Sequence, residues 1–438
     1  MIGIGIFLTP VEMARSLGSP GLLLLTWGVT GLMAACGALC YGELAARFPE
    51  AGGPYVYLRE TYGPPVAFLY GWKCLLVMDP GLSAAIAAGA AGYAAHLVPM
   101  PPAGEKLFAV GVILAFAVLT ALGTRLAAGT LVAITLLKVG ALLAIVAWGF
   151  GSDAASLDRL LPLFERAPGS GPLFGGLAGG FVAAFFSFGG WWEASKMAGE
   201  VRDPGRSLPF VFVTGVAIVT ALYVLASAVF VAVLPAGSAE EITPAVLGGL
   251  LFGAAGGKLL AAVVLVSALG SLAAFLLSAP RLYTALADDG LFPRWLGQRH
   301  PRLGTPVAAI TVQAALASVL VAVGSFGEIV AYFIFATVAF ITLSVASTFV
   351  LPAPPAGLYR APARKLAAGV FVTLAVALQV LLLAGRPASS ALGAAVVALG
   401  LPVYFQVRRR RRDTAPDAAV AGSGAAVGPR VDPERESE

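Results

Sequence analysis

Long apolar blocks set the pattern of this chain. They run at about 20–45, 65–98, 106–123, 126–150, 173–200, 209–235, 255–280, 305–323, 327–351, 366–384 and 388–406, eleven in all. Each is close to the ~20 residues a helix needs to cross a bilayer. Inside lipid the backbone must satisfy its own N–H and C=O groups. A continuous apolar block does so as a helix, whereas a barrel would show short alternating segments. A shorter block, Ile2 to about Leu17, contains Pro10, Glu12 and Arg15 and does not reach across by itself. It lacks the basic start and small-residue cleavage site of a signal peptide. Gly and Pro punctuate the breaks, at Pro49–Pro54, Pro99–Pro102 and Pro352–Pro355. From about Asp413 the chain is polar, Ala/Gly-rich and aperiodic, which predicts a disordered tail. The pattern predicts an all-α integral membrane protein.

Composition agrees. The chain has 438 residues, 59% hydrophobic and 12% charged, where a soluble domain carries about 25% charged residues. The basic residues are unevenly spread. With the first short block ending outside, the inner loops hold Arg47, Arg59, Arg125, Lys196, Arg202, Arg206, Arg281, Arg294, Arg299, Arg302, Arg360, Arg364, Lys365 and Arg408–Arg412, 18 residues. The outer loops hold 6: Arg15, Lys106, Arg159, Arg166, Lys258 and Arg386. The positive-inside rule therefore predicts a cytoplasmic C-terminus in the plasma or inner membrane. The Arg408–Arg412 run follows the last span directly, so it is read as an anchor on anionic lipid and not as a nucleic-acid patch. Cys36, Cys40 and Cys74 all lie in apolar blocks, which argues against a disulfide framework. Two histidines, His96 and His300, are too few for a His-built metal site. Neither a metal nor a cofactor is expected. No HExxH, GxSxG or His/Asp cluster points to an enzyme.

Two apolar segments are interrupted by glycine: Gly3-Ile4-Gly5-Ile6-Phe7, and Phe185-Phe186-Ser187-Phe188-Gly189-Gly190-Trp191 within the 173–200 block. They open the first and sixth spans. Glycine is common wherever membrane helices pack closely. A matched pair of breaks in two halves of a chain, however, is the best sequence pointer to a transporter binding site.

At this point the residues carry a resemblance. Gly3–Phe7 with Thr9-Pro10, the stretch Glu43–Tyr55, Phe188-Gly189-Gly190-Trp191, Glu200-Val201-Arg202-Asp203-Pro204, and Arg281-Leu282-Tyr283 through Asp289–Pro293 together resemble the amino acid–polyamine–organocation superfamily. Within it, the likeness is to the L-type and bacterial amino-acid permease branch. The resemblance implies a LeuT-type fold: two inverted five-helix repeats, at 1–150 and 151–351, then two further helices at 352–407, with the basic anchor and tail at 408–438. Two departures stand out. Ile4 occupies a place where the family usually has Ser or Thr. The chain also begins two residues before Gly3, so the first helix is expected to be truncated, lacking its inner half, through a misassigned start or a deliberate trimming.

The implied activity is secondary active transport of amino acids, neutral ones first, by alternating access and coupled to protons. An exchanger, a polyamine or cationic amino-acid carrier, and a non-transporting sensor are the alternatives. A broken helix offers free N–H groups at one half and free C=O groups at the other. N–H groups around Gly5, Ile6 and Phe7 suit a carboxylate. Carbonyls around Ile2, Gly3 and Ile4, and around Phe186, Ser187 and Phe188 before Gly189, suit an ammonium. Phe186 and Phe188 are expected to shape the side-chain pocket, with Phe186 as an outer lid.

Charges inside spans cost at least about 2.5 kcal/mol unless paired or solvated. Glu193 and Lys196, three apart, are expected to pair. Lys73, nearer a span end, is expected to snorkel. Asp79 is left between contacting a cation or proton and capping the backbone freed by Pro80. By resemblance, Lys138 takes the place of a bound sodium ion, donating to carbonyls near Gly3–Gly5 and to Ser267 and Ser271, and so coupling transport to protons. Some L-type relatives attach an accessory subunit through a cysteine in the outer loop after the third span. The corresponding Pro99–Lys106 has none, so no disulfide-linked subunit is expected.

Overall fold

The computed structural model describes residues 2–123, 127–153, 155–168, 170–233, 244–253 and 255–413. The expected tail beyond 413 and the inner-loop Arg125 lie outside the described residues. Among those described, the chain is helical and contains no strand.

The helices run α1 (Gly5–Leu17), α2 (Pro20–Arg47), α3 (Pro54–Tyr62), α4 (Pro64–Lys73), a π-helical turn (Cys74–Met78), α5 (Asp79–Leu97), α6 (Pro102–Leu122) and α7 (Ala127–Gly151). After a 3₁₀ turn at Leu157–Leu160 come α8 (Leu173–Phe188), a 3₁₀ segment (Glu193–Glu200), α9 (Pro204–Val233), α10 (Pro244–Phe252), α11 (Gly256–Ser278), α12 (Pro280–Asp288) and α13 (Arg294–Gly297). The last are α14 (Val307–Val323), α15 (Phe326–Val350), α16 (Arg364–Gly385), α17 (Pro387–Ala398) and α18 (Gly400–Asp413). Among the described residues, ten stretches are long and apolar enough to cross a membrane, and α14 is a shorter apolar helix. The eleven expected blocks are thus all helical. Four stretches are internally interrupted among the described residues: 65–98 by the π turn, 173–200 at Gly189–Gly190, and the two built from α11–α12 and α17–α18 by helix breaks at Pro280 and before Gly400.

Proline and serine explain many of the starts. Pro20 sits at the first position of α2 behind Ser19, whose hydroxyl accepts from Leu22 N–H, satisfying one donor that a helix start leaves open. Ser325 and Glu328 close a capping box at the head of α15. The helices that bury most of their length form the centre: α2 packs along α9, α5 along α11, and α1 against α8. The outward faces of α6 and α7 are apolar and exposed, with Leu107, Val118, Leu119, Val132 and Leu136 more than half accessible. These are the surfaces expected to meet lipid.

Ion pairs at one end link separate helices. Arg364 binds Glu43, joining α16 to α2, and Arg281 binds Glu200 through both carboxylate oxygens. Arg59 on α3 reaches Asp289 at 2.7 Å and Glu50 at 3.2 Å. Tyr55, on the same short helix, donates its hydroxyl to Asp289. Burial, and then that hydrogen bond, push the Tyr55 hydroxyl above the ordinary tyrosine range, so it stays protonated.

Candidate functional site

The two glycine breaks meet. Helix α8 ends at Phe188: Gly189 takes an extended backbone (φ −49°, ψ 145°) and Gly190 a left-handed one (φ 96°) before the 3₁₀ segment begins. A side chain at Gly190 would strain that backbone. The other break lies just before α1. The N–H groups of Phe7 and Leu8 both go to the Ile4 carbonyl, at 3.1 and 3.2 Å. At the head of the helix this leaves the Gly5 and Ile6 N–H groups as the open donors among the described residues.

Gly5 also serves packing. A Cβ there would lie 2.7 Å from Ser187 Cα and 2.6 Å from its Oγ. Thr9 Oγ1 donates to the Gly5 carbonyl (3.0 Å) and stands 2.9 Å from Ser187 Oγ, which in turn donates to the Ala183 carbonyl (2.9 Å). The breaks are thereby fixed to each other without any charged group.

Beside them lies a cavity of about 460 Å³, within the ~300–1,000 Å³ usual for small-molecule sites. Gly3, Ile4, Gly5, Phe186, Ser187 and Gly189 border it, as do Lys138, Ser271 and Glu193. Of the residues singled out from sequence, Ile6, Phe7, Phe188, Ser267 and Asp79 do not line this cavity. The reasons are physical. Phe188 points away from Phe186 and packs between Trp27 and Tyr223, with centroids at 5.9 and 5.4 Å. The Phe7 N–H is already used, and its carbonyl accepts from the Tyr93 hydroxyl at 3.0 Å. The carbonyls expected to be free are partly taken: Ser187 O accepts from Tyr223 (3.1 Å) and Phe186 O from Gly189 N–H (3.1 Å). Phe186 rests against Phe333 of α15 at 6.3 Å. Apolar wall residues that sequence reasoning did not name include Leu82 and Ile86 on α5, Ile134 on α7, Ile218 on α9 and Phe275 on α11. Their only sequence signal was membership of an apolar block.

Lys138, buried on α7, donates to Ser271 Oγ at 2.7 Å and to the Ile2 carbonyl at 3.3 Å. Ser267 is not its partner: the Ser267 hydroxyl has none among the described residues, while its carbonyl accepts from Ser271 (3.1 Å). One ammonium therefore ties α7 to α11 and to the segment before α1.

The second charged group is denser. Lys196 Nζ lies 2.8 Å from Glu193 Oε2 and 3.8 Å from Asp79 Oδ1, with Lys196 and Asp79 fully enclosed. Tyr283 of α12 donates to Asp79 Oδ2. Asp79 thus faces a lysine and a tyrosine, and does not serve as a cap for the backbone around Pro80. Lys73 does not snorkel. It has no exposure and sits over the rings of Tyr70 (4.7 Å) and Phe340 (5.8 Å), with Met78 Sδ at 3.1 Å. Cys36, Cys40 and Cys74 are free and buried.

Two broken helices crossing beside a mid-bundle cavity, in a chain of membrane-length helices, define a polytopic carrier-type membrane protein. The chain belongs to the amino acid permease family, which matches residues 1–401. It is 26% identical over 425 residues to the serine/threonine exchanger SteT of Bacillus subtilis, covering 94% of each chain. It is 28% identical over 418 residues to the large neutral amino acids transporter small subunit 2 of Mus musculus, covering 92% of this chain and 78% of the relative. An uncharacterised transporter of Mycobacterium bovis is 32% identical over 423 residues, with 94% and 90% covered. The all-helical architecture accords with the LeuT-type fold of this superfamily.

Proposed function

We propose that the protein is a secondary active transporter that carries neutral amino acids across the plasma or inner membrane by alternating access, with protons as the coupling ion. The observation that carries this reading is the pair of helix breaks fixed together at Gly5 and Ser187 beside a 460 Å³ cavity. The Gly5 and Ile6 N–H groups suit a substrate carboxylate, and carbonyls of the break segments suit its ammonium. The apolar walls from Leu82, Ile86 and Phe186 favour an uncharged side chain. Lys138 supports proton coupling: it is a buried cation without a carboxylate partner among the described contacts, so it is free to exchange its proton. The repeats are assigned to 1–150 and 151–351, followed by helices at 352–407 and a cytoplasmic basic anchor from 408. No disulfide-linked subunit is required.

Exchange is the second reading, favoured by the likeness to a relative named a serine/threonine exchanger. One experiment separates the readings. Proteoliposomes are tested for counterflow of labelled serine, threonine and leucine, and then for accumulation driven by an imposed pH gradient without internal amino acid. Accumulation under the gradient supports symport. Counterflow without accumulation supports exchange. Binding with neither would leave a sensor and overturn transport.

A further inference from the structure

A second opening lies away from the paired breaks, where α9 begins. It is a crevice of about 760 Å³ between the first turns of α9, Leu39 of α2 and the segment that leads into α16. On the α9 side, Arg206, Phe210 and Val213 share one face at helical spacing. The opposite wall is Gly357, Leu358, Tyr359 and Pro362. That wall is held in place. The Ala361 N–H donates to Glu43 Oε2 at 3.0 Å, and Arg364 binds the same carboxylate. Arg364 and Arg47 also donate to the carbonyls of Leu351 and Pro352, where the segment starts. Gly42 of α2 lets the walls approach: a Cβ there would lie 3.1 Å from Pro209 Cα and 3.2 Å from the Tyr359 ring.

The crevice is graded along its length. Its charged residues, Asp203 and Arg206, lie where α9 starts. Its apolar ones, Phe210, Val213 and Leu39, lie further along helices of membrane length. Phe210 and Leu358 are 69% and 40% exposed. Asp203 and Arg206 do not pair with each other, and neither side chain has a hydrogen-bond partner among the described residues. Pro209 brings no N–H to the Gly205 carbonyl, which also borders the crevice. The mouth thus offers an unpaired cation, an unpaired carboxylate and a carbonyl that lacks its helical donor, above an apolar slot.

We propose that this crevice is a phospholipid site, selective for a headgroup that carries both a phosphate and a primary ammonium, as phosphatidylethanolamine does. Arg206 takes the phosphate. Asp203 and the Gly205 carbonyl take the ammonium, whose N–H groups are the donors they lack. One acyl chain lies along Phe210, Val213 and Leu39. No residue borders both this crevice and the cavity beside the breaks. An occupant bridges the start of α9 to the segment before α16. The reading rests on the chain's lying in a bilayer and not on what it carries.

The full chain in detergent is titrated with phosphatidylethanolamine, phosphatidylglycerol and phosphatidylcholine of identical acyl chains, and bound lipid is counted by native mass spectrometry. Phosphatidylglycerol lacks the ammonium, and phosphatidylcholine carries methyls in place of its N–H groups. Phosphatidylethanolamine is expected to bind first, as a single copy, about two- to fivefold tighter than the others, the range of an exposed ion pair. Arg206→Gln is expected to weaken that first copy for all three lipids. Asp203→Asn is expected to erase the advantage over phosphatidylglycerol; asparagine accepts the left-handed backbone there (φ 51°). Neither side chain holds a partner in the fold, so both variants are expected to keep the wild-type unfolding temperature. Arg202→Gln, an exposed arginine outside the crevice, is expected to leave the order of affinities in place. Equal affinity for the three lipids overturns the proposal. So does tighter binding of phosphatidylglycerol, the mark of a plain anionic-lipid groove. So does a preference that survives both Arg206→Gln and Asp203→Asn. The readout needs no transport, so its failure is separable from failure of the transporter assignment.

Discussion

Lys138 and Lys196 are both buried cations, yet they are held in opposite ways. Lys138 borders the cavity and is held by a hydroxyl and one backbone carbonyl, all neutral acceptors. Lys196 lies off the cavity, between two carboxylates. Removing a cation from neutral acceptors leaves no orphaned charge. Removing one from between two carboxylates leaves two, in a place where water cannot replace it. The first arrangement suits a group that changes state, and the second a group that holds structure.

The largest effect that can break this contrast is functional. Lys138→Ala is expected to abolish accumulation driven by a pH gradient. If the variant still accumulates substrate with unchanged pH dependence, Lys138 is not the coupling residue. Next, Lys196→Met is expected to cost about 3–5 kcal/mol of stability, read as a fall in detergent-solubilised thermal unfolding temperature. Most of the loss should return when Asp79→Asn and Glu193→Gln are added. A single Lys196→Met as stable as Lys138→Met would erase the distinction. Gly5→Ala tests the frame that fixes the two helix breaks to each other beside Lys138. Its methyl would collide with the Ser187 backbone as well as its hydroxyl, an overpacking worth about 1–3 kcal/mol. Ser187→Ala should therefore fail to restore uptake. A comparable effect, read as a shift of profile and not as a loss, sharpens the picture around Lys138. Ser271→Ala removes a hydrogen bond to the ammonium worth about 1.5–3 kcal/mol and should move the pH profile of uptake to lower pH. Ser267→Ala should leave the profile where it is.

The sequence made the spans legible because length and apolarity are written locally. It made the two breaks legible because Gly3, Gly5, Gly189 and Gly190 interrupt otherwise apolar runs. Direction was harder to read. Phe186 and Phe188 are two residues apart, so about 200° apart around a helix; one borders the cavity and the other packs on Trp27. Which face turns inward depends on partners more than 30 residues distant. Lys73 misled for the same reason. Position near the end of a block suggests access to headgroups, but Phe340, far along the chain, closes over it. The π turn left no signal, since Cys74-Leu75-Leu76-Val77-Met78 reads as ordinary helix. The short helix α3 did leave one, in Gly52-Gly53-Pro54, a turn followed by a favoured first helical residue.

The Glu43–Arg364 pair has a consequence for how the chain is made. The two residues are 321 positions apart. At about 5–20 residues per second, Glu43 is synthesised roughly 15–65 seconds before its guanidinium partner exists. During that interval an acidic side chain near the end of an early helix has no mate. It must wait at the interface until the eleventh span arrives. The last helices to emerge therefore close a fault left open by the first, so loss of the C-terminal spans should strand an unfinished α2 and expose it to quality-control proteases.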